Sequence, residues 1–485
     1  MLRPLAWAAH LRVPAHLRAA SGFLVSLVVH ATLLVALGML VVWHEMQGSH
    51  GVTLLPFVED LEQVSFVEEL STQLTAVPAD VLGAVAWDPM ETRMPNAPNI
   101  RAPAPSLLGG PGLPEPAMGP EKLTSYDPSA ATETPGGGGF EGRTKTARAR
   151  LVKQRGGSPA SEDAVARGLA WIAAHQRPDG SWWFDHRDGV CGGLCRDPGH
   201  VGSTTASTGL ALLPFLGAGE IGEGSQYGKV VDDGLYYLRS RLLVTSLGGD
   251  LQEGTMYAQG IAAIALCEAY AMSRDESLRS AAQLAIDFIC HAQHEAGGWR
   301  YFPGQPGDTT VLGWQLMALK SAHLARLDVP VDVLHRVEQF LDSVQHEQGA
   351  VYGYQKPDKT PVPTAVGLLA RMYLGWPRED ALLARGVYYL EKLGPSRTDM
   401  YFNYYATQVL HHYEGSGWHA WNTTMRDRLV ATQSRRGHEH GSWYFHDEHG
   451  KSGGRLYTTA MCVMILEVYY RHMPLYGRRA VAGDL

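Results

Sequence analysis

Three carboxylates, Glu253, Asp308 and Asp399, stand with Tyr257, Tyr401, Tyr404, Tyr457, Thr204, Thr205, Thr309 and Arg455 where apolar helical runs begin. Two carboxyl groups on either side of a sugar can hydrolyse a glycosidic bond, one as acid and the other as base or nucleophile. Asp308 is the candidate catalytic acid on that reading. Read without chemistry, the same residues form a polar rim that binds a lipid, glycan or peptide. Asp308 is followed by Thr309 and Thr310, residue types that begin helices, so an N-cap is preferred to catalysis there. Asp399 admits the same reading.

Cys191 and Cys195 flank a Gly-Gly-Leu spacer, with His186 and His200 close by in sequence. Such a pair suits a local disulfide in an oxidising compartment. A structural zinc needs four ligands, and no second cysteine pair stands near, so the expectation is a disulfide and no metal. Cys267, Cys290 and Cys462 fall inside apolar helical runs and read as small core residues. The loop with histidines at 438, 440, 446 and 449 is His-rich enough to bind a metal adventitiously, and a solvated loop is the preferred reading.

The elements that position these residues repeat. Helix-period apolar patterns alternate with Gly-rich turns between Ser161 and Tyr476, at a period of about 50 residues, or two helices per repeat. Gln176, Gly180 and Trp182 recur as Gln293, Gly297 and Trp299, and again as Gln433, Gly441 and Trp443. Gln345 and Gly349 lack the Trp, while Asp233-Gly234 and Arg385-Gly386 keep only the front of the pattern. A more apolar helix follows each copy, at roughly 204–216, 256–273, 309–325, 364–376, 401–413 and 456–473. Helices apolar nearly all round belong in an inner ring. The expected fold is all-α, an (α/α)6 toroid of helical hairpins.

The Gln-Gly-Trp pattern resembles the QW motif of squalene–hopene and oxidosqualene cyclases, and the region is similar to the prenyltransferase and squalene-oxidase repeat family. The resemblance implies that the Gln caps the end of an outer helix and the Trp stacks over the next helix terminus. It implies a fold before a function. Class II cyclases of that family protonate an alkene with the middle Asp of Asp-x-Asp-Asp-Thr, but this chain has Gln305, Pro306, Gly307, Asp308 and Thr309, with Gly307 in the donor's place. Squalene cyclisation is therefore not expected. Protein prenyltransferases hold zinc through Asp-x-Cys, which the chain lacks, and Cys267-Glu268 is not a thioester motif.

Before the toroid, residues 22–43 form an apolar stretch long enough to span a membrane. Arg3, Arg12 and Arg18 precede it and Glu45 follows, which places residues 1–21 in the cytoplasm and the rest outside it, in a bacterial periplasm. Ser26 and His30 lie one turn apart in this span, a spacing that resembles TonB-type energy transducers and implies an integral-membrane partner; tolerance at a helix-packing contact is the plainer reading. Residues 44–158 read as an extracytoplasmic linker. After residue 95 it is Pro- and Gly-rich and expected to be disordered. The basic run from Arg143 to Arg155 at its end reads as solvated. The toroid occupies 159–476 and a tail 477–485.

The 485-residue chain carries a formal net charge of -8, which gives no nucleic-acid surface. Three functions stay open: a membrane-anchored ligand-binding or scaffold protein, a diverged terpenoid- or carbohydrate-processing enzyme drawing acids from the rim, and an energy-coupled transducer. No cofactor is identified.

Overall fold

The computed structural model describes residues 139–476, except Asp188 and Glu223. The membrane span, Ser26, His30 and the tail 477–485 lie outside the described residues. Among the described residues no helix is long and apolar enough to cross a membrane.

Twelve helices make six hairpins, each an outer helix followed by an inner one. The outer helices are α2 (Pro159–Ala174), α4 (Gly228–Arg241), α6 (Glu276–His291), α8 (Val331–Val344), α10 (Ala381–Leu393) and α12 (Gly417–Thr432). The inner ones are α3 (Thr204–Gly217), α5 (Met256–Ser273), α7 (Thr309–Leu324), α9 (Pro361–Tyr373), α11 (Met400–Tyr413) and α13 (Glu448–Leu466). Inner helices touch in the order α3, α5, α7, α9, α11, α13, and α13 returns to α3, so the ring closes. Sequence dictates which helix goes inside. Every residue of α5 from Met256 to Ala271 is buried, whereas α8 buries only Val333, Val337, Phe340, Leu341 and Val344, one face at helical spacing.

The expected linker ends earlier than read from sequence. Residues 139–158 are an ordered part of the toroid and include helix α1 (Lys145–Arg155), N-capped by Thr144. Half of the basic run is exposed as expected, at Lys145, Arg150 and Lys153, and half is held by acids from distant elements. Arg148 pairs with Glu162 at 2.8 Å, Arg155 with Glu414 at 3.0 Å, and the buried Arg143 with Glu268 at 2.8 Å. Glu268 also pairs with Arg471 of the short last helix α14 (Val468–Arg471), which packs against α1.

The QW motifs work as inter-repeat ties. Gln176 donates to Gly180 O and to Val230 O of the next outer helix, Gln293 to Gly297 O and Val333 O, and Gln433 to Gly441 O and Ala164 O. The last bond runs from the sixth repeat to the first. Each Trp indole N–H donates back to its own outer helix, Trp182 to Ile172 O, Trp299 to Ile289 O and Trp443 to Leu429 O. The recurring helical Gly has a role too: a Cβ on Gly234 would lie 2.9 Å from the Trp182 ring, and one on Gly168 3.2 Å from the Trp443 ring. Short antiparallel hairpins, β1 (Leu243–Thr245) with β2 (Gly248–Asp250) and β3 (Gln345–His346) with β4 (Val351–Tyr352), stand where the second and fourth repeats lack the full motif.

Candidate functional site

The acids expected on the rim gather at the N-termini of the inner helices, and each caps one. Glu253 Oε2 accepts from the Thr205 N–H at 2.7 Å and from the Thr204 hydroxyl at 2.9 Å, closing the start of α3 beside its N-cap Ser203. Asp308 Oδ1 accepts from the N–H groups of Thr310 (2.9 Å) and Val311 (2.8 Å) and from the Thr310 hydroxyl (2.7 Å). Asp399 takes the Phe402 N–H at 2.8 Å, and Asp447, which sequence reading passed over, takes the Gly450 N–H at 2.6 Å. A carboxylate suits both the unpaired N–H groups and the positive end of the helix dipole.

Burial sets the protonation of Asp308 and Asp447. It pushes the Asp308 carboxyl up to about 6, against the Val311 and Thr310 hydrogen bonds and the Arg300 guanidinium, which lies 4.0 Å from Oδ2. It pushes Asp447 up to about 7, with the charge of Asp399 adding to the shift. Around the acids the tyrosines interlock. Tyr257 bonds the Thr310 hydroxyl at 2.8 Å; Tyr401 accepts from the Trp314 indole at 3.1 Å and donates to Thr310 O at 3.2 Å. The His449 ring stands 5.0 Å from that of Tyr401 and 6.2 Å from that of Tyr457. The Tyr457 hydroxyl and His449 Nε2 are buried without a hydrogen-bond partner among the described residues.

The expected open rim is thus revised. Tyr257, Asp308, Tyr401, Tyr404, Arg455 and Tyr457 are all buried, because neighbouring inner helices pack their aromatic side chains against one another. Tyr404 lies deeper, stacked on Trp314 with ring centroids 5.9 Å apart. Arg455 belongs elsewhere: it pairs with Asp197 at 2.5 Å and bonds the Ser442 hydroxyl at 3.1 Å, at the seam between the sixth repeat and the first. Glu253, Asp399, Asp447 and Thr204 are half-buried.

Gly307 backs onto another segment of the chain. A Cβ there would lie 2.5 Å from Gly298 Cα and 2.9 Å from Trp299 N. No side chain fits.

The cysteine pair departs from expectation. Cys191 and Cys195 are free thiols, not a disulfide. The sulfurs turn toward His175 and His438 instead, and the four ligand atoms all lie within 4.8 Å of one another. His186 and His200, the histidines nearest in sequence, are not the ones that complete the set. His438 keeps the exposed loop expected of it yet turns its ring to the cysteines, and the two histidines beside the sulfurs come from opposite ends of the toroid sequence.

On the outer face, a groove of about 460 Å³ runs along α10 beside β4, lined by Glu347, Lys359, Arg385, Tyr388, Tyr389 and Lys392. Glu347 pairs with both Lys359 and Arg385 at 3.1 Å.

No family model and no curated protein matches this chain. Solved structures similar to it include the type II terpene cyclase MstE from Scytonema, at 14% identity and a TM-score of 0.43 over 64% of this chain and 97% of that one. A GH76 alpha-mannanase of Bacteroides thetaiotaomicron is similar at 11% identity and a TM-score of 0.46, over 69% of this chain and 100% of that one. A second GH76 mannosidase of that organism matches at 11% identity and a TM-score of 0.45, over 65% and 98%. Such identities and scores leave function to the residues of the site.

Proposed function

We propose that this chain is a membrane-anchored, extracytoplasmic toroid that binds a lipid, glycan or peptide, or scaffolds a partner, without class II cyclase chemistry. One observation carries the reading: the carboxylates at the inner-helix starts are spent on helix caps; the resemblance to the cyclase motif, which would put Gly307 at the donor's position, supports it. A polar interior atom without a partner is what a ligand's own polar groups satisfy, and the Tyr457 hydroxyl and His449 Nε2 offer two such atoms on rings whose centroids lie 6.2 Å apart. Anchoring rests on the apolar stretch 22–43, with Ser26 and His30 as the face toward an integral-membrane partner.

The test is native mass spectrometry and solvent extraction of the full chain purified in detergent from its own host. The expected result is a retained, chemically unaltered ligand, equally present in Asp308→Asn. Conversion of that ligand to a product, abolished by Asp308→Asn, would overturn the binding role.

A second reading has its own observation. Asp447, raised to about 7 by burial and by Asp399, is a carboxyl that keeps its proton about half the time near neutrality, a condition for a general acid. Turnover lost in Asp447→Asn but kept in Asp308→Asn would select this diverged-enzyme reading.

A further inference from the structure

The four groups His175, Cys191, Cys195 and His438 have the composition and spacing of a closed metal site. We propose that they bind one zinc ion, which staples the first repeat of the toroid to the last. The argument begins with ligand type. Two thiolates and two imidazoles in a tetrahedral set favour zinc among the common divalent ions.

Geometry agrees. Zinc bonds of about 2.3 Å to sulfur and about 2.0 Å to nitrogen put the S···N edges of a tetrahedron at about 3.5 Å. His175 Nε2 lies 3.5 Å from Cys195 Sγ; His438 Nδ1 lies 3.1 Å from Cys195 Sγ and 3.8 Å from Cys191 Sγ. The observed edges scatter around the ideal by a few tenths of an ångström.

The surroundings complete the site. His175 Nδ1–H donates to Trp171 O at 2.7 Å, which leaves Nε2 with the lone pair that faces the sulfurs. A second-shell carbonyl fixing a ligand tautomer in this way is a regular feature of metal-binding histidines. The Cys195 N–H donates to Cys191 Sγ at 3.3 Å, a bond that favours sulfur as thiolate. Cys191, Cys195 and His175 are buried and His438 is exposed, so the ion is reached from one side while all four positions are taken by protein. A fourth protein ligand leaves no position for substrate, which makes the role structural rather than catalytic.

The placement gives the role. His175 is the C-cap of α2 and the cysteines lie on the loop from α2 to α3; His438 lies on the motif loop between α12 and α13. The same seam holds Arg196 with Glu439 at 2.9 Å, Arg455 with Asp197, and Gln433 with Ala164 O. These are polar contacts spanning two chain ends, and a metal there supplies the cross-link.

The experiment uses the full chain purified without chelator or added metal. Metal analysis should return about one zinc per chain, and exchange with Co²⁺ should give the strong visible bands of a tetrahedral thiolate site. His438→Ala, in an exposed loop, should lose the zinc at least tenfold, whereas His440→Ala, in the same loop but outside the set, should keep it. Hydrogen exchange should rise at residues 185–200 and 434–445 in His438→Ala and not in His440→Ala. Recovery of Cys191 and Cys195 as a disulfide in the purified chain would overturn the proposal, as would zinc retained in His438→Ala or an octahedral cobalt spectrum in the unaltered protein.

Discussion

At the scale of single residues, the rim acids have a common fate, and Asp308 shows what it costs. Its carboxyl sits fully buried with three hydrogen bonds converging on Oδ1, and burial raises its pKa from 3.8 to about 6. The folded state therefore holds this proton more tightly than the unfolded chain does. That contribution to stability is complete below about pH 4 and is lost as pH rises through about 6. Asp308→Asn keeps an oxygen for the cap and has no charge to bury. Its melting temperature, scanned from pH 4 to 7, should rise relative to the unaltered protein as pH increases, and a constant offset would refute the assignment. Asp308→Ala loses the cap and should cost about 1 kcal/mol or more in denaturant titration. His411 works in the opposite direction. Burial lowers its pKa to about 3 while Nε2–H donates to His472 O at 2.9 Å, so its contribution is complete above about pH 6.5 and lost as pH falls toward 3. His411→Gln should flatten the acid side of the stability profile.

At the scale of elements, the repeat was legible because its signals are local. The inner helix expected at 256–273 is observed as Met256–Ser273, and that at 204–216 as Thr204–Gly217, since burial on every side leaves an apolar run with sharp polar ends. The last inner helix, expected at 456–473, starts as expected just after a break at Gly454 (φ 64°) and ends earlier, at Leu466; the short helical stretch from Glu448 ahead of that break lay hidden in a Gly- and His-rich segment that reads as loop. The cap role of Asp308 was likewise readable from Asp-Thr-Thr. The metal set was not, because His175 reads as part of a structural motif and His438 as loop. Only ring closure makes the motif loops of repeats one and six neighbours, and a sequence shows spacing along the chain, not across it. The motif's tie makes an element-scale prediction. Gln433→Ala removes donors to Ala164 O and Gly441 O and should cost roughly 1–3 kcal/mol, measured by urea unfolding; no change would mean the tie is redundant.

At the scale of the whole molecule, the toroid starts before the repeats do. Arg143, Glu268, Glu467 and Arg471 form a buried ionic cluster that joins the segment ahead of the first repeat to α5 and to the end of the chain. Removing one partner of such a cluster leaves a buried charge unpaired. A chain shortened to begin at Ser158 loses Arg143 and should melt well below one beginning at Gly139, and equal melting temperatures would show that residues 139–157 add nothing to the ring. Glu268→Ala should cost roughly 3–5 kcal/mol by the same reasoning.

The seam also sets a timetable for synthesis. Trp443, which covers Gly168 on the first outer helix, and His438 are among the last residues of the toroid to be made. Until they leave the ribosome, α2 keeps an uncovered apolar face on a chain whose other repeats have already begun to stack. A contact between the two ends of a sequence is slow to form and leaves intermediates prone to sticking. The nascent protein must therefore be sheltered from the completion of α2 until residue 443 is made, more than half of its translation, and a chain cut short before residue 443 would be an open arc rather than a ring.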